Sequence, residues 1–171
     1  ILVEHWHNAH VLDKELHYLN RLAEPLIAIR AQYDDARRMI QRALDKLGPR
    51  DARRIALLNN LSFALQNVGE YPRAQDRSSE ALQLARELGD QAGEAVSLFR
   101  LAMAAYLQGD YQLAYGYFRP SLALQQTLGN QQAIAAILLQ LGVVAFYEGD
   151  FDSAQDQFQQ SIQVYQAIQN R

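Results

Sequence analysis

Apolar residues recur along this chain at helical spacing. Leu58, Leu61, Ser62 and Leu65 stand at i, i+3, i+4 and i+7, one stripe of a 3.6-residue helix. The stripe returns at a period of 40 as Leu98, Leu101 and Ala102, and again as Leu138, Leu141 and Gly142. Gly69-Glu70-Tyr71, Gly109-Asp110-Tyr111 and Gly149-Asp150-Phe151 keep the same register, as do Ala74, Ala114 and Ala154, and Leu82, Leu122 and Ile162. Each unit closes on Leu88-Gly89-Asp90, Leu128-Gly129-Asn130 or Ile168-Gln169-Asn170. A period held at this many positions is read before any local motif, because it sets the architecture.

Within a unit the glycine ends one helix, since it enters the left-handed conformation at little cost. Glu70, Asp110 and Asp150 follow, placed to cap or favour the N-terminus of a second helix, and Pro72 falls in a first turn where its missing N–H costs nothing. Ala74, Ala114 and Ala154 are small where two helices must come close. The pattern predicts helix pairs at 52–68 with 71–88, 91–108 with 111–128, and 131–148 with 151–169. No sustained period-2 alternation predicts a strand. A helix pair cannot bury its apolar faces alone, so the pairs stack into an all-α solenoid. The units are 51–90, 91–130 and 131–171, preceded by N-terminal helices in 1–50. That first stretch includes a degenerate unit: Tyr33, Ala36, Ala43 and Leu44 align with Tyr71, Ala74, Ala81 and Leu82 at a spacing of 38, Gly48-Pro49 stops the helix, and its partner is predicted over Leu22–Ala31, with Pro25 near its start or kinking it.

Leu58, Leu61, Ser62, Gly69, Tyr71, Ala74, Ala81 and Leu82, with their equivalents in the next two units, resemble the helix–turn–helix pattern of the tetratricopeptide repeat family. The resemblance covers about 51–171 and implies a right-handed superhelix of antiparallel helix pairs. Departures are modest: the late first-helix aromatic is Leu65, Ala105 and Ala145, and the second-helix aromatic is Ser78 before Phe118 and Phe158. The 40-residue period looks like the longer-helix variety. The stretch LAEPLIAIRAQYDDARRMIQRAL resembles the first repeat behind the winged-helix region of bacterial multidomain signalling ATPases of the STAND class. That second resemblance implies the C-terminal sensor array of such a protein, and the start at Ile1 rather than Met carries the same expectation of a longer parent.

Composition narrows the function. Hydrophobic residues at 49% and only 9 Gly and 4 Pro exclude a disordered or collagen-like chain. The absence of cysteine excludes disulfides, thiolate metal sites and a cysteine nucleophile, and fits a reducing, cytoplasmic setting. Apolar runs fall short of the ~18 residues that span a bilayer, so no membrane partner is expected. Net charge is −3, but residues 1–90 hold 13 of the 16 Lys/Arg. The nearest basic patch, Arg37, Arg38, Arg42, Arg50, Arg53 and Arg54, is interleaved with Asp34, Asp35, Asp45 and Asp51. It reads as an ion-paired helix surface rather than the uninterrupted basic face that a duplex requires, so no nucleic acid is expected.

No phosphate loop, dinucleotide fingerprint, nucleophile elbow or H-E-x-x-H occurs, so neither catalytic residues nor a cofactor is expected. His5, His7, His10 and His17 share helix faces, but no second cluster completes a metal site, and Trp6 beside them is expected to pack against Leu2 or Leu12. Asp34 and Asp35 are adjacent, point to different sides of a helix and make a poor acid/base pair.

A second stripe runs beside the repeated one on each first helix and varies between units. It reads Asn59, Phe63, Gln66 and Asn67, then Phe99, Met103, Tyr106 and Leu107, then Leu139, Val143, Phe146 and Tyr147. In the resembled family these positions line a concave groove that holds a peptide or partner helix, and Asn60, Arg100 and Gln140 stand where ligand backbone is often hydrogen-bonded. The family's Lys/Asn carboxylate clamp is absent. The aromatic members stand equally as groove lining or as core, since a helix apolar nearly all round is usually buried. Two further expectations concern shape and assembly. Pro120 inside a helix predicts a bend, with Gly116 giving room for the strained carbonyl. Ile162, Tyr165 and Ile168 form an apolar end with no polar capping helix, which predicts more repeats or self-association there. The leading expectation is a non-enzymatic protein- or peptide-binding module, a sensor or scaffold arm of a bacterial signalling protein. The alternatives are a self-association module and a receptor for a small ligand or signalling peptide.

Overall fold

The computed structural model describes residues 33–169, and the histidines, Trp6 and the predicted helix at Leu22–Ala31 lie outside the described residues. Seven helices and no strand are present among the described residues: α1 Tyr33–Asp45, α2 Arg53–Asn67, α3 Tyr71–Leu88, α4 Gln91–Leu107, α5 Tyr111–Leu128, α6 Gln131–Glu148 and α7 Phe151–Gln169. The helices pair as α2 with α3, α4 with α5 and α6 with α7, and successive pairs stack into a solenoid.

Glycine and acid together punctuate each unit. Gly69, Gly89, Gly109, Gly129 and Gly149 take φ between 70° and 82°, the left-handed region that ends a helix. The residue after each glycine then serves two helices at once. The Asp110 N–H donates back to the Ala105 carbonyl at 3.0 Å, while its carboxylate accepts from the Leu113 N–H at 3.1 Å. Asp90, Asn130 and Asp150 cap their helices in the same way, through the N–H of Gly93, Ala133 and Ser153. Glu70 makes no side-chain cap; its carboxylate pairs with Arg37 and Arg73 instead.

Ala74, Ala114 and Ala154 are buried where each pair meets. Beside them the facing residues differ from unit to unit: Ser62 with Ser78, Ala102 with Phe118, Gly142 with Phe158. The two serine hydroxyls share a hydrogen bond at 2.6 Å, whereas Phe118 is completely buried. A methyl group on Gly142 would stand 2.6 Å from the Phe158 ring and 3.2 Å from the Ala154 carbonyl. Only glycine fits there.

Stacking between units is not uniform. α2 packs directly on α4 as well as on α3, a contact that α4 and α6 do not repeat to the same extent. Three amides expected in the binding stripe are consequently buried. Asn59 donates to the Ser97 hydroxyl at 3.0 Å, Gln66 donates to the Arg100 carbonyl at 2.7 Å, and Asn60 is buried beside them. These residues hold the first two units together, which corrects their assignment to a ligand face. Asn67 of the same stripe stays exposed and folds back on the Phe63 carbonyl.

α5 continues through Pro120 as one helix, and an added Cβ at Gly116 would meet no atom of a neighbouring element within 4 Å. The expectation on apolar run length changes. α6, 18 residues with a mean hydropathy of 1.3, is long and apolar enough to cross a membrane by length and composition. One face of it is packed within the array through Ile134, Ile137, Leu138, Leu141 and Val144, while Leu139, Phe146 and Tyr147 stay exposed. Run length alone missed this, because Gln140 interrupts the apolar sequence without interrupting the apolar face.

Five single substitutions test this packing by urea unfolding followed by circular dichroism. Gly142→Ala lowers stability by about 1–3 kcal/mol by overpacking Phe158, while Gly116→Ala raises it by roughly 0.5–1 kcal/mol through helix propensity alone. Asn59→Ala and Gln66→Ala each cost about 1–3 kcal/mol by stranding buried polar partners. Asn67→Ala stays within about 0.5 kcal/mol.

Candidate binding face

The remaining stripe residues divide according to what stacks on them. Phe99 turns inward, its ring centroid 5.6 Å from that of buried Phe118 in an edge-to-face contact. It belongs to the core that α4, α5 and α6 share, with Met103 and Tyr106 half-buried at its border. Leu107, Leu139, Phe146 and Tyr147 are exposed, the last two by 53% and 56%. Val143 and Gln140 lie half-buried between them. On α6, Leu139, Val143 and Phe146 stand at i, i+4 and i+7, so they form one continuous apolar strip.

Arg100 ties the strip to the first unit. Its guanidinium carbon sits 4.4 Å from the centroid of the half-buried Phe63 ring, a cation–π contact between α4 and α2. The face therefore runs from a polar, closed end at α2 to an open aromatic end at α6.

An aromatic ladder borders that open end. The Tyr106 ring lies 6.0 Å from both Tyr111 and Tyr147, and Tyr111 stacks on Tyr147 at 5.2 Å with an interplanar angle of 13°. Phe146 continues it through Phe151 at 5.6 Å. The sequence marks Tyr111 and Phe151 as the aromatic after each Gly-Asp of the repeat, not as members of the stripe. Burial pushes the Tyr106 hydroxyl above its ordinary pKa of 10.0, and neighbouring Tyr147 and Tyr111 add to the shift. The stabilisation is thus complete below pH 10.0 and is lost as the pH rises through the raised value.

Among the described residues no group of three or more His, Cys, Asp or Glu is arranged to hold a metal ion. The face offers aromatic and aliphatic surface, one stacked guanidinium and side-chain amides, a set suited to covering a partner's apolar side chains.

The Tetratricopeptide repeat family model matches residues 53–126 and again 95–167, well over half of the chain. No curated protein matches the sequence. Among solved structures, the array resembles a Rap protein complexed with competence and sporulation factor, with 24% identity and a TM-score of 0.79 over 88% of this chain and 43% of that one. It also resembles BtubC from P. vanneervenii, at 20% identity and a TM-score of 0.79 over 94% of this chain and 66% of that one. The TPR domain of Arabidopsis FLU aligns at 19% identity and a TM-score of 0.63, over 67% of this chain and 97% of that one. At these identities the likenesses establish the fold, and the chain spans less than half the length of the Rap protein. The family model, the helix pairs and the glycine-punctuated period agree: this chain belongs to the tetratricopeptide repeat family.

Proposed function

We propose that the array is a non-enzymatic protein- or peptide-binding module, the sensor or scaffold arm of a larger bacterial signalling protein, and that it engages its partner on the strip of α4 and α6. The observation that carries this reading is the exposed set Leu139, Phe146 and Tyr147 around half-buried Val143, with Leu107 exposed on α4. Contiguous exposed apolar surface of this kind marks an interaction site more often than a free surface. The likeness to a Rap protein solved with competence and sporulation factor supports the same use of the fold. Peptides selected against the array from a displayed random library test the assignment. The expected outcome is a family of apolar peptides whose affinity falls about tenfold or more for the Leu139→Ser/Tyr147→Ala variant, as loss of a central aromatic anchor implies. Selected peptides that bind this variant as well as the wild type would sink it.

A second reading is favoured by one further feature. Phe151 and Ile162 are exposed by 63% and 55% on α7, and Tyr165 is exposed beside them. They occupy the register of Tyr111, Leu122 and Gln125, where Tyr111 and Leu122 are packed against the core that α6 completes. This end then drives self-association, with Ile168 half-buried at its edge. Sedimentation equilibrium at high protein concentration decides it: a dimer that Phe151→Asp/Ile162→Asp converts to monomer supports the reading, and a monomeric wild type removes it.

A further inference from the structure

We propose that the cleft between α5 and α7, floored by α6, binds a short peptide by its two charged termini. The site is independent of the α4–α6 strip. Its volume is about 430 Å³, within the range of ordinary ligand sites. Leu138, Leu141 and Ala145 of α6 form the floor, Tyr115 and Arg119 of α5 line one wall, and Gln157 of α7 the other. Glu148 and Asp150, where α6 turns into α7, close one end.

The cleft holds charges of both signs that do not neutralise one another. Arg119 is the only Lys or Arg between residues 101 and 170. Among the described residues it has no carboxylate partner. Its guanidinium carbon lies 5.7 Å from the Tyr115 ring centroid, and it donates to the Tyr115 hydroxyl at 3.4 Å. Glu148 and Asp150 likewise have no cationic partner among the described residues: Glu148 accepts from the Gln112 amide, and Asp150 from the Ser153 N–H at 3.1 Å. Gln112, beside Glu148, stands seven residues before Arg119 on α5, so about 10 Å separates the acidic end from the guanidinium.

The repeat supplies its own comparison. Two units earlier, the cleft between α1 and α3 lies over Leu61 and Leu65, and there opposite charges meet. Glu70, in the register of Asp150, accepts from Arg37 on one wall and Arg73 on the other. Tyr115 and Ser153 occupy the registers of those two arginines, and Arg119 stands where the first cleft has Gln41. The floor persists, as packing requires. The later cleft keeps its charges apart.

Charges held apart in this way suit a ligand that carries both. An ammonium group fits at Glu148 and Asp150, and a carboxylate on the Arg119 fork, which can take two oxygens. One amino acid is too short for the gap, whereas three residues of extended chain span about 10 Å. Leu138 and Leu141 suit an apolar side chain between the termini. Gln157 suits the backbone, because its Oε1 finds no hydrogen-bond donor among the described residues and a peptide N–H supplies one. A polyamine offers nothing to Arg119. A bare anion is disfavoured, because residues 101–170 set five acidic side chains against that one arginine.

The test adds the tripeptide Ala-Leu-Ala to the isotope-labelled array at low salt and follows its resonances by NMR. The expected result is saturable movement of the Arg119 and Gln157 side-chain signals. N-acetylation or C-amidation of the peptide each weakens binding by about tenfold or more, as does Arg119→Gln or Glu148→Gln/Asp150→Asn in the array. Asp150→Asn keeps a capping oxygen, as Asn130 does, so α7 is retained, which circular dichroism checks. The losses pair off: the amidated peptide is indifferent to Arg119→Gln, and the acetylated peptide to the acidic double variant. Leu139→Ser/Tyr147→Ala leaves binding unchanged. Absence of binding, equal binding of a peptide blocked at both ends, or losses that simply add would overturn the proposal. Spermidine or succinate competing as well as the tripeptide would overturn it too, since one sign of charge would then suffice. Loss of binding in the Leu139→Ser/Tyr147→Ala variant would instead place the peptide on the other face.

Discussion

The close crossing of the two helices within each unit constrains the rest of the array. Ala74, Ala114 and Ala154 are buried at this crossing, and the facing first-helix position shrinks from Ser62 to Ala102 to Gly142 as its partner grows from Ser78 to Phe118 and Phe158. The first unit fills this place with a hydrogen-bonded serine pair and the next two with a phenylalanine over a small residue, because interiors at crystal-like density tolerate neither a hole nor an overlap. With the crossing fixed, the turn must reverse the chain within a few residues. A glycine at positive φ followed by an acid that bonds backwards through its N–H and forwards through its side chain accomplishes this. The tight period is therefore a consequence of the crossing.

What happens between units follows less rigid rules, and here the two ends of the array diverge. The first seam carries buried amide bonds, Asn59 on Ser97 and Gln66 on the Arg100 carbonyl, beside an apolar cluster of Leu82, Leu98 and Leu101. The later seam is apolar, built on Phe99, Phe118, Ile137 and Val144 with the tyrosine ladder at its edge. Buried amide bonds demand exact partners and hold α2 tight against α4, whereas rings fill space at several separations. The first helices accordingly pack directly at the polar seam and stand apart at the aromatic one.

This difference explains which parts of the protein were legible in the sequence. Helix limits came within a residue or two, 91–108 against Gln91–Leu107 and 131–148 against Gln131–Glu148, because each boundary carries its own chemical mark. The crossing was legible too, since small residues recur at one register. The stripe was not. Asn59 and Gln66 are polar, and polarity at a variable position reads as surface; only the proximity of α4, a fact about two helices 40 residues apart, buries them. Phe99 and Leu139 share a register and differ in fate, because Phe99 has Phe118 beneath it while Leu139 faces outward. Local sequence encodes how a unit closes on itself far better than how it meets its neighbour.

The location of exposed chemistry is a product of that same inequality. Where stacking is tight, the first-helix amides Asn59 and Gln66 are consumed by interhelical bonds. Where stacking is looser, the first-helix face stays open and keeps its aromatic side chains, with Tyr147 and Phe146 outermost. Each unit retains the same interior, so substitutions at the variable positions alter recognition while the glycine, alanine and leucine positions maintain the fold.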